Sequence, residues 1–375
     1  MADPWVLVLD PPSANGRWPV GGLPLALRLA LDAQAAGAAA IVLAPGTGQV
    51  RSSLGDARLI IPVVEQVPLG SRSIRVPADY LVHPRLFAAL AESPEFHGGG
   101  PDSQPGWDLP RRRFPLSSPH GFDPIRVADA ASAKQAEVAL FSTLRKATDG
   151  WTSRWLNRRI SLRVSRLLVR TPLSPNAISV GILAVGLAGA WLAARGTYAA
   201  TLAGAGLLQL QSILDGCDGE ISRVTYRHSL VGEWLDTISD DVTSYAFFGA
   251  AAWGLYATRG VVAYLLAGAV VVIGGLLTSG IQYRYLIRAG TGDLLRHPVA
   301  GTPGEPALVT RIRPLFKRDT FIFLTFVGAG LGLIGPLILL MAMATIGLTA
   351  NVIRVELADR RTTVERTGLP ADRMD

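Results

Sequence analysis

The chain has 375 residues, 49% apolar and 17% charged, with 36 basic against 29 acidic side chains and a net charge of +7. Soluble domains carry roughly a quarter charged residues, and the mean hydropathy here is +0.32. The composition therefore excludes a disordered chain and points to a membrane protein with basic edges, not to a nucleic-acid binder.

In chain order, residues 1–97 read as a small soluble α/β domain. Trp5–Leu9 and Ala39–Leu43 are apolar runs of strand type, and Pro24–Ala36 between them suits a helix. Asp3, Pro4, Asp10, Pro11 and Pro12 interrupt the opening stretch, so no secretory signal peptide is expected. Residues 98–127 are a Pro/Gly-rich linker with no room for regular structure. Residues 128–170 are a juxtamembrane segment: Ala128–Lys146 looks helical, and Trp151–Arg170 repeats arginines at helical spacing beside Trp151, Trp155, Leu162 and Leu167. That pattern fits a helix lying in the membrane interface.

Residues 171–358 hold the charge-free runs Ala177–Ala194, Thr197–Leu214, Val242–Thr258, Gly260–Tyr283 and Thr320–Ile353. About 20 residues span a bilayer core, so each of the first four is one crossing. The fifth, 34 residues, is two crossings with a turn at Gly335-Pro336. The expected architecture is an α-helical integral membrane protein of six transmembrane helices behind the α/β domain, with residues 359–375 as a polar tail. Arginines crowd the segment before the first span (Arg154 to Arg170) and the loop after the fourth (Arg284 to Arg318), whereas the alternate loops hold Arg195 and Arg259. The positive-inside rule then places both termini and the loop Asp215–Gly232 on the cytoplasmic side of the plasma (inner) membrane.

Between Asp215 and Asp241 lie seven acids, Asp215, Asp218, Glu220, Glu233, Asp236, Asp240 and Asp241, against Arg223 and Arg227, a local charge of −5. Carboxylates at the ends of spans are costly unless paired, hydrated or bound to a cation. Asp215 and Asp218 are three apart and Asp236 and Asp240 four apart, so each pair shares a helix face. Two such helices side by side would converge four carboxylates. Cys217 is the single cysteine, and His83, His97, His120, His228 and His297 are scattered, so sulfur and histidine ligand sets are excluded. Oxygen ligands suit Mg²⁺ or Mn²⁺, and a dense set holds two ions. Gly219 and Gly232 allow a bulky ligand near the backbone, and Arg223 suits a phosphate. Asp241 is off the Asp236/Asp240 face, in a solvated or supporting place. An ion-coupled transporter is the alternative function for buried aspartates, but the acids sit at one membrane face and no repeated halves are present.

The run Asp215-x2-Asp218-Gly219-x2-Ser222-Arg223-x8-Gly232-x3-Asp236-x3-Asp240 resembles the signature of the CDP-alcohol phosphotransferase family, with Ser222 where that family usually has alanine. Ser174-Pro175-Asn176 matches its Pro-Asn pair before the first span. The resemblance implies a membrane enzyme that moves a substituted phosphoryl group from a CDP-linked donor, of CDP-diacylglycerol or CDP-inositol type, to an alcohol and releases CMP. It implies metal ligation by Asp215, Asp218 and Asp236, Asp240 as general base and second-metal ligand, a CDP site of Asp218, Gly219, Ser222, Arg223 and Gly232, and a homodimer. Lys146-x-Thr148-Asp149-Gly150-x2-Ser153-Arg154-x2-Asn157-Arg158-x2-Ser161 and Lys317-Arg318-Asp319 are similar to inositol-phosphate-using members, including di-myo-inositol phosphate phosphate synthases. Arg284, Lys317 and Arg318 are then candidates for an acceptor phosphate. The front domain, through Val20-Gly21-Gly22-Leu23-Pro24-Leu25, resembles a sugar-nucleotidyltransferase fold. It lacks the glycine-rich phosphate loop after Trp5–Leu9, having Asp10-Pro11-Pro12-Ser13-Ala14-Asn15-Gly16-Arg17 instead, and reads as non-catalytic.

Overall fold

The structure, a computed structural model, describes residues 4–12, 18–92, 106–108, 122–145, 149–294 and 317–367. Outside the described residues lie 13–17 of the expected phosphate loop, most of the linker, Lys146 and Thr148, the arginines at 296, 311 and 313, His97, His120, His297 and the tail from 368. The chain forms two compact units: residues 1–146, 166–172 and 220–227 make the first, and residues 147–165, 173–219 and 228–375 the second.

The first unit is built on a five-stranded sheet. Strand β1 (Trp5–Asp10) leads to helix α1 (Leu25–Ala35) and β2 (Ala40–Leu43), then α2 (Gly48–Arg51), β3 (Val63–Val64), β4 (Arg72–Pro77), β5 (Tyr80–Leu81), α3 (Leu86–Glu92), β6 (Gly106–Asp108), β7 (Ile125–Arg126) and α4 (Ala130–Ser142). The order is β3-β2-β1-β4-β6 with parallel pairing throughout, Leu7 opposite Ile41 on one side and Ile74 on the other. Parallel central strands are covered on both faces, which is why β1 and β2 are unbroken apolar runs. Leu7, Leu9, Ile41 and Ile74 pack with Leu29, Ala33 and Phe87 on one face, while Val6, Val8, Ala40 and Val42 cluster on the other.

The proline-rich stretch differs from the linker expected over 98–127. Gly106–Asp108 is an edge strand on β4, and Ile125–Arg126 pairs with Tyr80–Leu81. Prolines are tolerated beside edge strands because no second neighbour requires their missing N–H. Helix α4 also belongs to the first unit, begun by Asp129, whose side chain accepts from Ser132 N in a reciprocal capping box.

The second unit is helical. A π-helical turn (Ser153–Asn157) runs into α5 (Arg158–Leu168), followed by α6 (Pro175–Ala193), α7 (Tyr198–Leu214), α8 (Gly216–Thr225), α9 (Leu230–Arg259), α10 (Val262–Ala289), α11 (Arg318–Gly330) and α12 (Ile334–Thr367). The later parts of α5 and α8 belong to the first unit. Of the five charge-free runs, four fall on α6, α7, α9 and α10, and the fifth is divided between α11 and α12. Among the described residues, α6, α10 and Ile334–Leu357 of α12 are long and apolar enough to cross a membrane. Helices α7 and α11 have 17 and 13 residues, and α9 carries Glu233, Asp236, Asp240 and Asp241 near its start. The break expected at Gly335-Pro336 falls earlier, at Leu331–Leu333, where Gly332 has φ 72°. Pro336 sits in the first turn of α12, where no intrahelical partner awaits its absent N–H.

Small residues let these helices approach. A Cβ on Gly189 of α6 would stand 2.7 Å from the Gly204 carbonyl oxygen of α7, and one on Gly204 2.5 Å from that of Gly189. Such close backbones are how helices associate where water gives no hydrophobic drive.

Candidate active site

Asp215 closes α7, and Asp218 stands in the first turn of α8. Asp236 and Asp240 lie one turn apart on α9, whose start is capped by Ser229 Oγ accepting from Gly232 N at 3.0 Å. A Cβ on Gly232 would meet Asn176 Oδ1 and Ser229 Oγ at 3.0 Å, so the Pro-Asn pair at the head of α6 packs against the motif glycine.

Asp215 and Asp240 meet. Their carboxyls are within hydrogen-bonding reach, and Asp215 feels the charges of Asp240, Asp236 and Arg318. Gln211 Nε2 is 3.5 Å from Asp215 Oδ1 and 3.5 Å from Asp240 Oδ1. Arg318, opening α11, places Nη1 2.7 Å from Asp240 Oδ1 and 4.0 Å from Asp215 Oδ2. Its Nη2 also donates to Gln211 Oε1 at 3.2 Å and Thr243 Oγ1 at 3.3 Å, which fixes the guanidinium against α7 and α9. Asp218 is buried and accepts from Ser179 Oγ of α6, and Gly219 N donates to its Oδ1 at 2.6 Å. Asp236 is exposed on α9.

The four aspartates do not form one ligand cluster in this conformation: no group of three His, Cys, Asp or Glu side chains is arranged for a metal ion among the described residues. In chemistry the set nevertheless fits a divalent cation. Its donors are hard oxygens, and Asp215 has two negative neighbours against one positive.

Beside Asp215 and Asp240 opens a cavity of about 340 Å³, lined also by Arg158, Lys317, Arg318, Asp319, Ser153, Asn157, Ser161 and Ser212. Two carboxylates hold residues of its wall: Asp149, outside the lining, pairs with Arg158 Nε at 3.1 Å, and Asp319 Oδ2 accepts from Ser153 N at 2.7 Å. Gly150 has no room for a side chain there, since a Cβ would lie 2.8 Å from Asp319 Oδ2. Lys317 and Arg318 are therefore brought to the aspartates, whereas Arg284 is exposed on α10 and does not line this cavity.

Ser222 and Arg223 belong to the first unit, where Ser222 Oγ donates to Arg227 O at 3.0 Å. Asp241 is held by Ser279 Oγ at 2.5 Å and Tyr283 Oη at 2.6 Å, both from α10, in a supporting place off the Asp215/Asp240 pair. The site also contains residues that spacing alone did not single out: Gln211, one turn before Asp215 on the same face, and Ser179, four residues into α6. The signal for Gln211 was its place, with Gln209 and Ser212, in a polar patch at the end of a charge-free run.

Residues 172–348 match the family model for CDP-alcohol phosphatidyltransferase. "Bifunctional IPC transferase and DIPP synthase" of Aquifex aeolicus (strain VF5) is 30% identical over 237 residues, 63% of this chain and 51% of the relative. The protein of the same name from Thermococcus kodakarensis is 38% identical over 194 residues, 51% of this chain and 40% of the relative. The chain thus spans about half the length, or less, of these curated relatives. A crystal structure of Mycobacterium tuberculosis phosphatidylinositol phosphate synthase with CDP-DAG bound is 19% identical, covering 52% of this chain and 92% of its own, with a TM-score of 0.40. Another, in complex with manganese and citrate, is 20% identical, covering 52% and 88%, with a TM-score of 0.40. The motif and the matched segment coincide: residues 172–348, the helical part of this chain, match the CDP-alcohol phosphatidyltransferase family model.

Proposed function

We propose that the protein is a six-span membrane transferase that moves a substituted phosphoryl group from a CDP-linked donor to an alcohol, releasing CMP. The observation that carries this reading is the meeting of Asp215 and Asp240 beside Arg318 at the mouth of a polar cavity, with Asp218 and Asp236 at the family spacing. Asp215, Asp218, Asp236 and Asp240 would hold divalent metal, Mg²⁺ or Mn²⁺, in two sites. Bound there, such ions neutralise the donor pyrophosphate and make its β-phosphorus more electrophilic.

The chain's own residues supply the remainder. The acceptor hydroxyl oxygen forms a bond to the β-phosphorus, the bond from that phosphorus to the bridging oxygen breaks, and the CMP phosphate departs with that oxygen. Asp240 takes the hydroxyl proton as the oxygen attacks. Arg158, Lys317 and Arg318 give the cavity three cations, and Ser153, Asn157 and Ser161 give it hydroxyl and amide partners. Cationic forks with neutral donors suit a phosphorylated polyol, so the acceptor is an inositol phosphate; the names of the relatives, IPC transferase and DIPP synthase, support that chemistry. Gly219, Ser222, Arg223 and Gly232 bind the CDP moiety. The site faces the cytoplasm, the first unit is non-catalytic, and the protein is a homodimer.

Purified protein would be incubated with Mg²⁺ or Mn²⁺, either CDP-diacylglycerol or CDP-inositol, and a panel of alcohols with and without phosphate, and the phosphodiester identified by mass spectrometry. The expected product carries inositol phosphate. Arg158→Ala and Lys317→Ala should each raise the acceptor KM about tenfold with the donor KM unchanged, the size expected for one charge-assisted hydrogen bond. Product formed equally well from unphosphorylated alcohols would overturn the acceptor assignment, and absence of product with every pair would overturn the reaction.

A further inference from the structure

The end of α8 and the turn after it, which follow Asp218-Gly219, are not packed as a free connection. Residues 220–227 belong to the first unit, and Glu220, Ile221, Val224 and Thr225 are buried there. Tyr226 has φ 54°, the positive-φ residue other than glycine among those described. A bulky side chain adopts this backbone only where its surroundings over-determine it.

Those surroundings are specific. Tyr226 Oη donates to Asp32 Oδ1 of α1, and the tyrosine packs against the cluster of Leu23, Leu27 and Leu31. The Arg28 guanidinium carbon stands 5.7 Å from the centre of that ring. Arg58, locked to Asp56 by contacts of 2.5 and 2.6 Å, reaches over to donate to the Thr225 carbonyl oxygen at 2.5 Å. Val224 fills the turn at Gly21: a Cβ there would stand 2.5 Å from Val224 Cγ1, and the backbone at φ 57° disfavours one in any case. At Gly22, φ 75°, a Cβ would lie 2.9 Å from the Val169 carbonyl oxygen. The glycine turn that resembles a nucleotide-binding fold is thus filled by the chain's own segments.

We propose that the first unit is a clasp for the end of α8 and the turn after it, with Asp32 and Tyr226 as a positioning pair that fixes the segment carrying Arg223. The clasp rests on the reading of Arg223 as a CDP ligand. Arg223 lies three residues before Tyr226, and the segment continues into Ser229, whose side chain caps α9. Anchoring at Tyr226 and at the Thr225 carbonyl restricts where the Arg223 backbone can go, so the arginine meets the donor without being ordered on each encounter.

The test uses full-length protein carrying Tyr226→Phe, Asp32→Asn and both together. Each single change should raise the KM for the CDP donor about 5- to 20-fold, with kcat within about twofold and the acceptor KM unchanged, because one lost hydrogen bond acts on positioning alone. The double variant should be no worse than the more impaired single, since both remove the same bond. Effects that multiply, or that fall on kcat instead of the donor KM, overturn the clasp. A second measurement is independent of catalysis: trypsin cleavage after Arg223 and Arg227, mapped by mass, should accelerate at least fivefold in Tyr226→Phe while cleavage after Arg51 and Arg75 keeps its rate. Unchanged cleavage after Arg223 and Arg227 overturns the clasp even in an active protein. Cleavage that accelerates while wild type releases no CMP supports the clasp and overturns the CDP reading.

Discussion

Asp32 concentrates the chemistry of the first unit in one side chain. Burial pushes its carboxyl from 3.8 up to about 7, opposed by the Tyr226 hydrogen bond and by the Arg28 charge, and its Oδ2 has no hydrogen-bond partner among the described residues. The folded state therefore holds a proton between about pH 4 and pH 7 that the unfolded chain releases. This contribution to stability is full below pH 4, falls by about 1.4 kcal/mol per pH unit at most as pH rises towards 7, and is flat above it. Asp32→Asn should remove that slope, which denaturant melts of wild type and variant at pH 4.5, 6 and 7.5 would show. Burial and the Asp32 charge push the Tyr226 phenol above its usual range, so it keeps its proton across these pH values and the difference between the two proteins isolates Asp32. In the second unit Asp240 has the decisive role. Asp240→Asn keeps the size of the side chain and the Arg318 contact but removes the proton acceptor, and kcat should fall by about 10²- to 10⁴-fold with little change in donor affinity. Sequence spacing showed this pair of roles unevenly: the aspartates stand at legible intervals, whereas Tyr226 and Asp32 are 194 positions apart and no local pattern joins them.

Helix ends and crossings decide whether those side chains meet. Gly189→Leu should force α6 from α7 at a contact that lies inside 3 Å, and overpacking of this kind typically costs about 1–3 kcal/mol; the expected reading is loss of the monodisperse peak in detergent size-exclusion chromatography. Ser229→Ala removes the cap of α9 and should lower stability by about 1 kcal/mol. The helices were readable because a charge-free run is a direct image of a span, and Ser174, Thr197 and Ser229 mark starts that the structure uses as caps. Strand Arg72–Pro77 was missed although it alternates buried and open positions, because two arginines and a serine masked its period. Val63–Val64 and Gly106–Asp108 are too short to carry any period and exist through pairing with β2 and β4. The turn before α12 was misplaced because Gly-Pro is a strong turn signal that here serves the first turn of a helix.

Across the molecule, a net charge of +7 hides a 27-residue stretch of −5, and this separation is the basis of the proposed topology and catalysis. Reporter fusions should place the loop at Arg195-Gly196 outside and the loop after α10 inside; the reverse would contradict the cytoplasmic site. The proposed six-span topology would put Asp215, Asp218, Asp236 and Asp240, the proposed metal ligands, at one membrane face. The most direct test of the central claim is CMP release from CDP-diacylglycerol and CDP-inositol, each offered with inositol phosphate, by wild type and Asp240→Asn, with Mg²⁺, with Mn²⁺ and after chelation. The account predicts CMP with either metal from one donor, none after chelation, and a loss of at least about 100-fold in Asp240→Asn; CMP release that survives chelation, or equal rates in the two proteins, would contradict it.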